Sequence, residues 1–75
     1  MPIRHPALAR FGKNVRLKRE AVGLSQEQLA EKADLDRTYV SGIERGVRNP
    51  TVLSAARVAA ALRIPLAELF NGLPK

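Results

Sequence analysis

This chain is divided into short segments by residues that end helices and residues that begin them. These signals limit the possible folds more than any other feature. Gly23 is followed by Ser25, and Gly46 is followed by Thr51, so an N-cap residue comes soon after each stop signal. Asp36 is a further N-cap candidate between them. Apolar residues recur with helical spacing inside the segments. The sequence therefore predicts an all-α fold of five short helices, over about 6–22, 26–33, 37–45, 52–62 and 65–70.

The composition favours one compact helical bundle. With 75 residues the chain can build one small core, so we predict a single domain over 1–75 with its core at about 7–71. Apolar residues make up 45% of the chain but aromatic residues only 4%, so the core must consist of Leu, Val, Ile and Ala. There is no cysteine, so neither a disulfide nor a thiolate metal site holds the fold together.

The net charge of +6 favours a polyanionic partner. Residues 1–23 carry six basic groups and one acidic group, whereas residues 24–50 carry four basic and five acidic groups. Charge alone therefore points to the first helix, although a solvated helix face would look the same. No apolar run reaches the roughly 18 residues of a membrane span, and the first residues lack the apolar segment of a secretory signal. We expect a cytoplasmic protein.

The third predicted helix has one polar face made of arginines and very small residues. At about 100° per residue, five residues share this face: Arg37, Thr38, Ser41, Gly42 and Arg45. Val40 and Ile43 fall on the opposite side, where they would anchor the helix in the core. The second and third helices, joined by a short turn, therefore predict a helix-turn-helix unit over about 25–45.

Such a face suits the major groove of DNA. Base edges there pair with arginine at guanine and with small hydroxyl or methyl groups elsewhere. Gly42 would let the helix backbone approach the bases closely. A merely solvated surface gives no reason to accept the ~1 kcal/mol that glycine costs relative to alanine in a helix. We therefore predict that the five residues of this face read bases.

Residues around this unit are candidates for contacts to the DNA backbone. Ser25 and Gln26 open the second helix, where N–H groups attract anions, although Ser25 alone would also be an ordinary cap. Arg48 and Asn49 lie just after the third helix, where either phosphate contact or a solvated loop fits. Tyr39 either extends its hydroxyl to a phosphate or only packs its ring.

The stretch GLSQEQLAEKADLDRTYVSGIERGVRNPT, residues 23–51, resembles the helix-turn-helix of the Cro-and-repressor (Xre-like) family. It is most similar to the small controller proteins of restriction–modification operons, and the likeness extends over about residues 8–70. The resemblance implies a lambda-repressor-like bundle of five helices and a homodimer on palindromic operator DNA in the nucleoid. It assigns phosphate contact to Gln26, further backbone contacts to Arg48 and Asn49, and base reading to Arg37, Thr38, Ser41 and Gly42.

Arg19 and Glu44 match a structural pair of that family, so the resemblance implies an internal ion pair between the first and third helices rather than a DNA contact. The sequence departs from the family at Lys18, where an apolar residue is usual. Its stem could lie along the edge of the core. Leu17 points away from the predicted core face, as a partner surface or as a single exposed leucine.

A homodimer would need an apolar surface, and the last predicted helix concentrates apolar residues. We predict that the interface draws on five of them: Leu62, Ile64, Leu66, Leu69 and Phe70. The alternative is that all five belong to the core of the monomer.

The sequence gives no sign of an enzyme, a cofactor, a metal site or a small-molecule ligand. Its one histidine, His5, lies near the start, and Glu27 with Glu31 could share a cation but are better explained as a solvated helix face. We therefore predict a DNA-binding transcription regulator. The alternative is a protein-interaction module, such as an antitoxin or co-regulator, on the same fold. The operator, the direction of regulation, and the choice among restriction controller, phage repressor and antitoxin stay open.

Overall fold

Capping residues set where the helices begin. The structure is a computed structural model that describes residues 5–74, and it contains four α-helices and one 3-10 helix. These are α1 (Pro6–Ala21), α2 (Gln26–Ala33), α3 (Arg37–Glu44), α4 (Val52–Leu62) and the 3-10 helix Leu66–Phe70. The side chains of His5, Ser25, Asp36 and Thr51 each accept a backbone N–H from the first turn that follows. All of these bonds are local, so the helix starts follow directly from the sequence.

The all-α prediction is confirmed, but the prediction of five α-helices is wrong at the last segment. Residues 66–70 form a 3-10 helix, in which the Glu68 N–H donates to the carbonyl of Pro65, three residues back, at 3.0 Å. A five-residue segment without a side-chain cap is too short to favour the α-helical pattern. No strand occurs between residues 5 and 74. None of the helices in that range is long and apolar enough to span a membrane.

One aliphatic core holds the helices together. Its largest fully buried side chains come from all five helices: Leu29, Ile43, Leu69, Val15, Val40 and Val58. Helix α3 packs against both α1 and α2, while α4 packs against α2 and the 3-10 helix closes over α1 and α4. Gly12 lies where α1 crosses the last turn of α3, with the carbonyl oxygens of Ile43 and Glu44 against it. This crossing fixes the position of α3.

The predicted dimer interface is wrong for two of its five residues. Leu62 and Leu69 are only 3% and 0% exposed, because both fill the core of the single chain. Ile64 and Leu66 are half-buried against that core. Phe70 stays 46% exposed, with its ring 5.4 Å from that of Phe11. Of the five, Phe70 therefore offers the most surface to a partner.

Exposed apolar surface is instead largest at the start of α4. Val52 is 80% exposed and Leu53 is 62% exposed. Leu17 on α1 is also exposed, at 51%. Lys18, which departs from the family pattern, donates from Nζ to Oε1 of Glu68 at 3.0 Å and so ties α1 to the 3-10 helix.

A buried asparagine also holds the end of the chain against α1. Nδ2 of Asn14 donates to the carbonyls of Leu69 and Asn71 at 3.0 and 2.8 Å, and Nε of Arg10 donates to the same Asn71 carbonyl at 3.1 Å. Asn14 is itself buried, at 6% exposed. Its role could not be predicted from the sequence, because no nearby residue indicates partners 55 and 57 positions away.

Candidate nucleic-acid interface

Helices α2 and α3 form the predicted helix-turn-helix. The turn between them passes through Asp34, whose φ of +57° lies in the left-handed region, and the Leu35 N–H then donates to the carbonyl of Ala30 at 2.9 Å. This geometry ends α2 and lets Asp36 start α3 after only two residues. The short turn places α3 across the bundle with one long side toward solvent.

Core anchors decide which side of α3 faces outward. Val40 and Ile43 are 0% and 1% exposed, so the opposite side of the helix must face solvent. Of the predicted base readers, Arg37, Thr38 and Arg45 are exposed and Ser41 is half-buried. The structure therefore brings four of the five together on one outward face.

Asp36 and Thr38 form a local hydrogen-bonded unit at the start of α3. The Thr38 N–H donates to Oδ1 of Asp36 at 2.8 Å, and the Thr38 hydroxyl donates to the same oxygen. Since its proton is already bonded to Asp36, the Thr38 hydroxyl presents an acceptor to solvent, next to its methyl group. This pair of groups matches the thymine methyl group and the amino groups of adenine or cytosine.

The bond from the Thr38 hydroxyl, followed by that from its N–H, lowers the pKa of the Asp36 carboxyl below its ordinary value. A lowered pKa means that the charged carboxylate stabilises the fold at neutral pH, and that this stabilisation is lost as pH falls from about 4 through the folded-state pKa. We expect Asp36→Asn, which keeps a neutral cap, to be less stable than wild type at pH 7, with the difference closing below pH ~4. Urea unfolding of both proteins across pH checks this, and a difference that does not depend on pH would contradict it.

Gly42 does not form the bare surface that the sequence predicted. It is buried, and the three heavy atoms nearest to a Cβ built on it all belong to the Arg48 side chain. The Arg48 stem covers Gly42, and its guanidinium lies over the Tyr39 ring, 5.6 Å from the centroid. The prediction that Gly42 exposes its backbone to bases is therefore wrong, because a distant side chain occupies that space.

The two residues that open α2 are used within the protein. The Ser25 oxygen accepts the Gln28 N–H at 3.0 Å, and the Gln28 side chain accepts the Ser25 N–H at 2.8 Å, which forms a complete capping box. Nε2 of Gln26 donates to Oε1 of Glu44 at 3.0 Å. Gln26 is half-buried and so links the start of α2 to the end of α3, at the position predicted to hold a phosphate.

The predicted pairing of Arg19 with Glu44 is present in the structure. Nε and Nη2 of Arg19 donate to the two carboxylate oxygens at 2.7 and 3.0 Å, and Nη1 donates to the Leu24 carbonyl at 2.8 Å. The side chains of Arg19 and Glu44 are only 12% and 3% exposed. The hydrogen bond with Glu44 raises the pKa of the Arg19 guanidinium although burial opposes it, so Arg19 keeps its positive charge at neutral pH. The pair supports α3 from the side that faces α1.

The other candidate groups do not converge on a second site. Asn49 lies exposed in the loop after α3. Over residues 5–74 no three histidine, cysteine, aspartate or glutamate side chains lie close enough to hold a metal ion. Of the predicted site residues in the described part of the chain, the exposed Arg37, Thr38, Arg45, Arg48 and Asn49 all lie on α3 or directly after it.

Several known proteins are similar to this chain in sequence and fold. The control protein C.MunI from a Mycoplasma species is 45% identical over 67 residues, covering 88% of this chain and 90% of C.MunI. The crystal structure of the restriction-modification controller protein C.AhdI from Aeromonas hydrophila is 47% identical and covers 88% of this chain and all of that one, with a TM-score of 0.87. The controller protein C.Esp1396I, as a tetramer with its natural 35 base-pair operator, is 38% identical and covers 85% and 84% of the two chains, with a TM-score of 0.78.

The predicted resemblance is thereby confirmed. The helix-turn-helix family profile matches residues 15–69, which is well over half of the chain. The relatives described above are control proteins of restriction–modification systems, and they share both sequence and fold with it along most of its length. The chain belongs to the helix-turn-helix family, among relatives that include restriction-modification controller proteins.

Proposed function

We propose that this chain is a sequence-specific DNA-binding transcription regulator that inserts α3 into the major groove of a palindromic operator. The observation that carries the proposal is the outward face of α3. It offers Arg37, Thr38, Ser41 and Arg45 to solvent while Val40 and Ile43 hold the helix from behind. The net charge of +6 adds a general attraction to DNA. C.Esp1396I, a relative with the same fold, has been solved on DNA.

We further propose that the chain binds its operator as a homodimer. A single recognition helix reads only a few base pairs, and two copies related by a two-fold axis would read half-sites about 34 Å apart. The exposed apolar residues Val52, Leu53 and Phe70 supply surface that a second copy could cover. The proposed interface therefore uses Phe70 and the start of α4, and not Leu62 and Leu69, which are buried in the core of the single chain.

The biological setting that fits best is control of a restriction–modification operon in the bacterial nucleoid, within the cytoplasm. C.MunI and C.AhdI are control proteins of such systems, and each aligns with 88% of this chain. The same exposed apolar residues of α4 would also serve a protein-interaction module, which is the competing proposal.

The dependence of DNA affinity on salt separates the two. Wild-type chain is first used to select duplexes from a random-sequence pool, and affinity for a selected duplex is then measured from low to high salt. A DNA reader should show a log–log slope of about −0.9 for each phosphate that it neutralises. Failure to enrich any sequence, together with weak binding that does not differ between selected and scrambled duplexes, would refute the regulator and leave the interaction module.

Arg37→Ala tests base reading. We expect it to cost about 1–3 kcal/mol on the selected duplex and much less on a scrambled one, because an exposed arginine at the start of α3 would pair with a base edge. Gln26→Ala is the matched control. It should weaken both duplexes by a similar factor, since the second N–H of its amide, beyond the one bonded to Glu44, would donate to a phosphate, and such a contact carries no sequence information. Gel-shift titrations give both ratios, and equal losses on the two duplexes for Arg37→Ala would remove its assignment as a base reader.

A further inference from the structure

We propose that Gly42 leaves the space in which the Arg48 side chain packs, and we call this space the seat of Arg48. Arg48 thereby joins the DNA-contacting surface although it lies outside α3, and Gly42 is not itself a DNA contact. This inference rests on the proposed DNA-binding function. In this proposal Gly42 acts by holding Arg48 in position. This packing also explains why the outward part of α3 contains a glycine, which helices otherwise disfavour.

The backbone first brings Arg48 back to α3. Gly46, with φ of +75° in the left-handed region, reverses the chain after the helix. The N–H groups of Val47 and Arg48 then both donate to the Gly42 carbonyl, at 3.0 and 3.2 Å. The side chain of Arg48 therefore begins directly beside Gly42, although the two residues are six positions apart.

The side chain of Arg48 is then held at two further points. Its stem lies on Gly42, where a Cβ would overlap Cγ of Arg48 and would lie 3.4 Å from its Cβ. Its guanidinium lies over the Tyr39 ring, 5.6 Å from the centroid, in the geometry of a cation–π contact. A side chain ordered in this way loses less freedom when a ligand arrives, so the contact that it makes is pre-organised.

The direction of the guanidinium places it on the reading surface. Tyr39, whose ring lies under the Arg48 guanidinium, belongs to the first turn of α3. Arg48 therefore runs from Gly42 toward the end of the helix that carries Arg37 and Thr38. Its charge also contributes to the lowered pKa of the Asp36 carboxyl at that end. Its stem fills the space beside Gly42, and its guanidinium adds a cation near the first turn of α3.

A double-mutant cycle on DNA tests the seat. On the selected duplex, Arg48→Ala should lower affinity about tenfold or more. Gly42→Ala should lower it by a similar factor, because the new methyl group displaces Arg48. The double variant should bind like Arg48→Ala alone, because without the arginine the methyl group has nothing to displace. If Gly42 instead approaches DNA directly, the two losses will multiply. Full affinity in either single variant also overturns the proposal.

An NMR measurement without DNA tests directly whether Arg48 packs on Gly42 and Tyr39. Tyr39 is the chain's one tyrosine, and its ring current should shift the Arg48 side-chain proton resonances upfield in the wild-type protein. Gly42→Ala should return them to their values in an unfolded peptide, while thermal unfolding shows that the domain still folds. Unchanged Arg48 resonances in Gly42→Ala would contradict the seat. If wild-type protein selects no DNA sequence at all, the proposed function fails, and the resonances still show whether the seat exists.

Discussion

Glu44→Ala is expected to destabilise the domain by about 3–5 kcal/mol, the usual cost of removing one partner from a buried ion pair. The Glu44 side chain is 3% exposed and accepts hydrogen bonds from both Arg19 and Gln26. Its loss leaves the Arg19 guanidinium, 12% exposed, without its carboxylate. A domain of 75 residues has roughly 4–11 kcal/mol of stability in total, so the variant should unfold near or not far above physiological temperature.

Thermal and urea unfolding followed by circular dichroism measure this loss. Glu20→Ala is the matched control, since Glu20 pairs with Arg16 at 3.5 Å but both side chains are more than half exposed. An exposed pair of this kind is worth at most about 0.5 kcal/mol. If Glu44→Ala and Glu20→Ala lower the unfolding temperature equally, the Arg19 pair does not hold the first helix to the third.

Gly12→Ala is expected to cost at least ~3 kcal/mol, at the upper end of the range for overpacked cores. A Cβ on Gly12 would lie 2.7 Å from the carbonyl oxygen of Glu44 and would overlap that of Ile43. Both oxygens belong to the backbone of α3, so neither can rotate away as a side chain would. The two helices must separate, and the separation strains the Arg19–Glu44 pair that spans the same crossing.

Gly42→Ala is the control for this variant because it makes the same chemical change in another helix. There the added methyl group meets the flexible side chain of Arg48, and the gain in helix propensity is about 1 kcal/mol. We expect urea unfolding to show a loss for Gly12→Ala and no comparable loss for Gly42→Ala. A Gly12→Ala protein as stable as wild type would mean that α1 and α3 are not in direct backbone contact.

Local signals made the helices and the reading face predictable. Ser25, Asp36 and Thr51 bond to N–H groups two or three residues ahead, so the sequence alone contains both partners. The outward face of α3 follows from Val40 and Ile43, because residues three apart lie on the same side of a helix.

Contacts between distant residues could not be predicted in this way. Lys18 meets Glu68 fifty positions later, and Asn14 meets the carbonyl of Leu69. From the sequence alone, Gly42 predicted close approach of DNA, and this was wrong. What approaches it depends on the chain reversal at Gly46, and in the structure it is Arg48. Helical spacing also did not separate buried from exposed apolar residues in the last segment. Leu69 is buried and Phe70 is exposed because of the way the 3-10 helix packs on α1.

The contacts from Asn14 to the carbonyls of Leu69 and Asn71 have a consequence for how the protein is made. They join positions 55 and 57 residues apart, and Leu69 fills the core beside α1. Such distant contacts close only when both partners are available. During translation, part of the apolar side of α1 stays uncovered until residues 69–71 have left the ribosome. Until then the nascent chain exposes that part of its first helix, which favours aggregation.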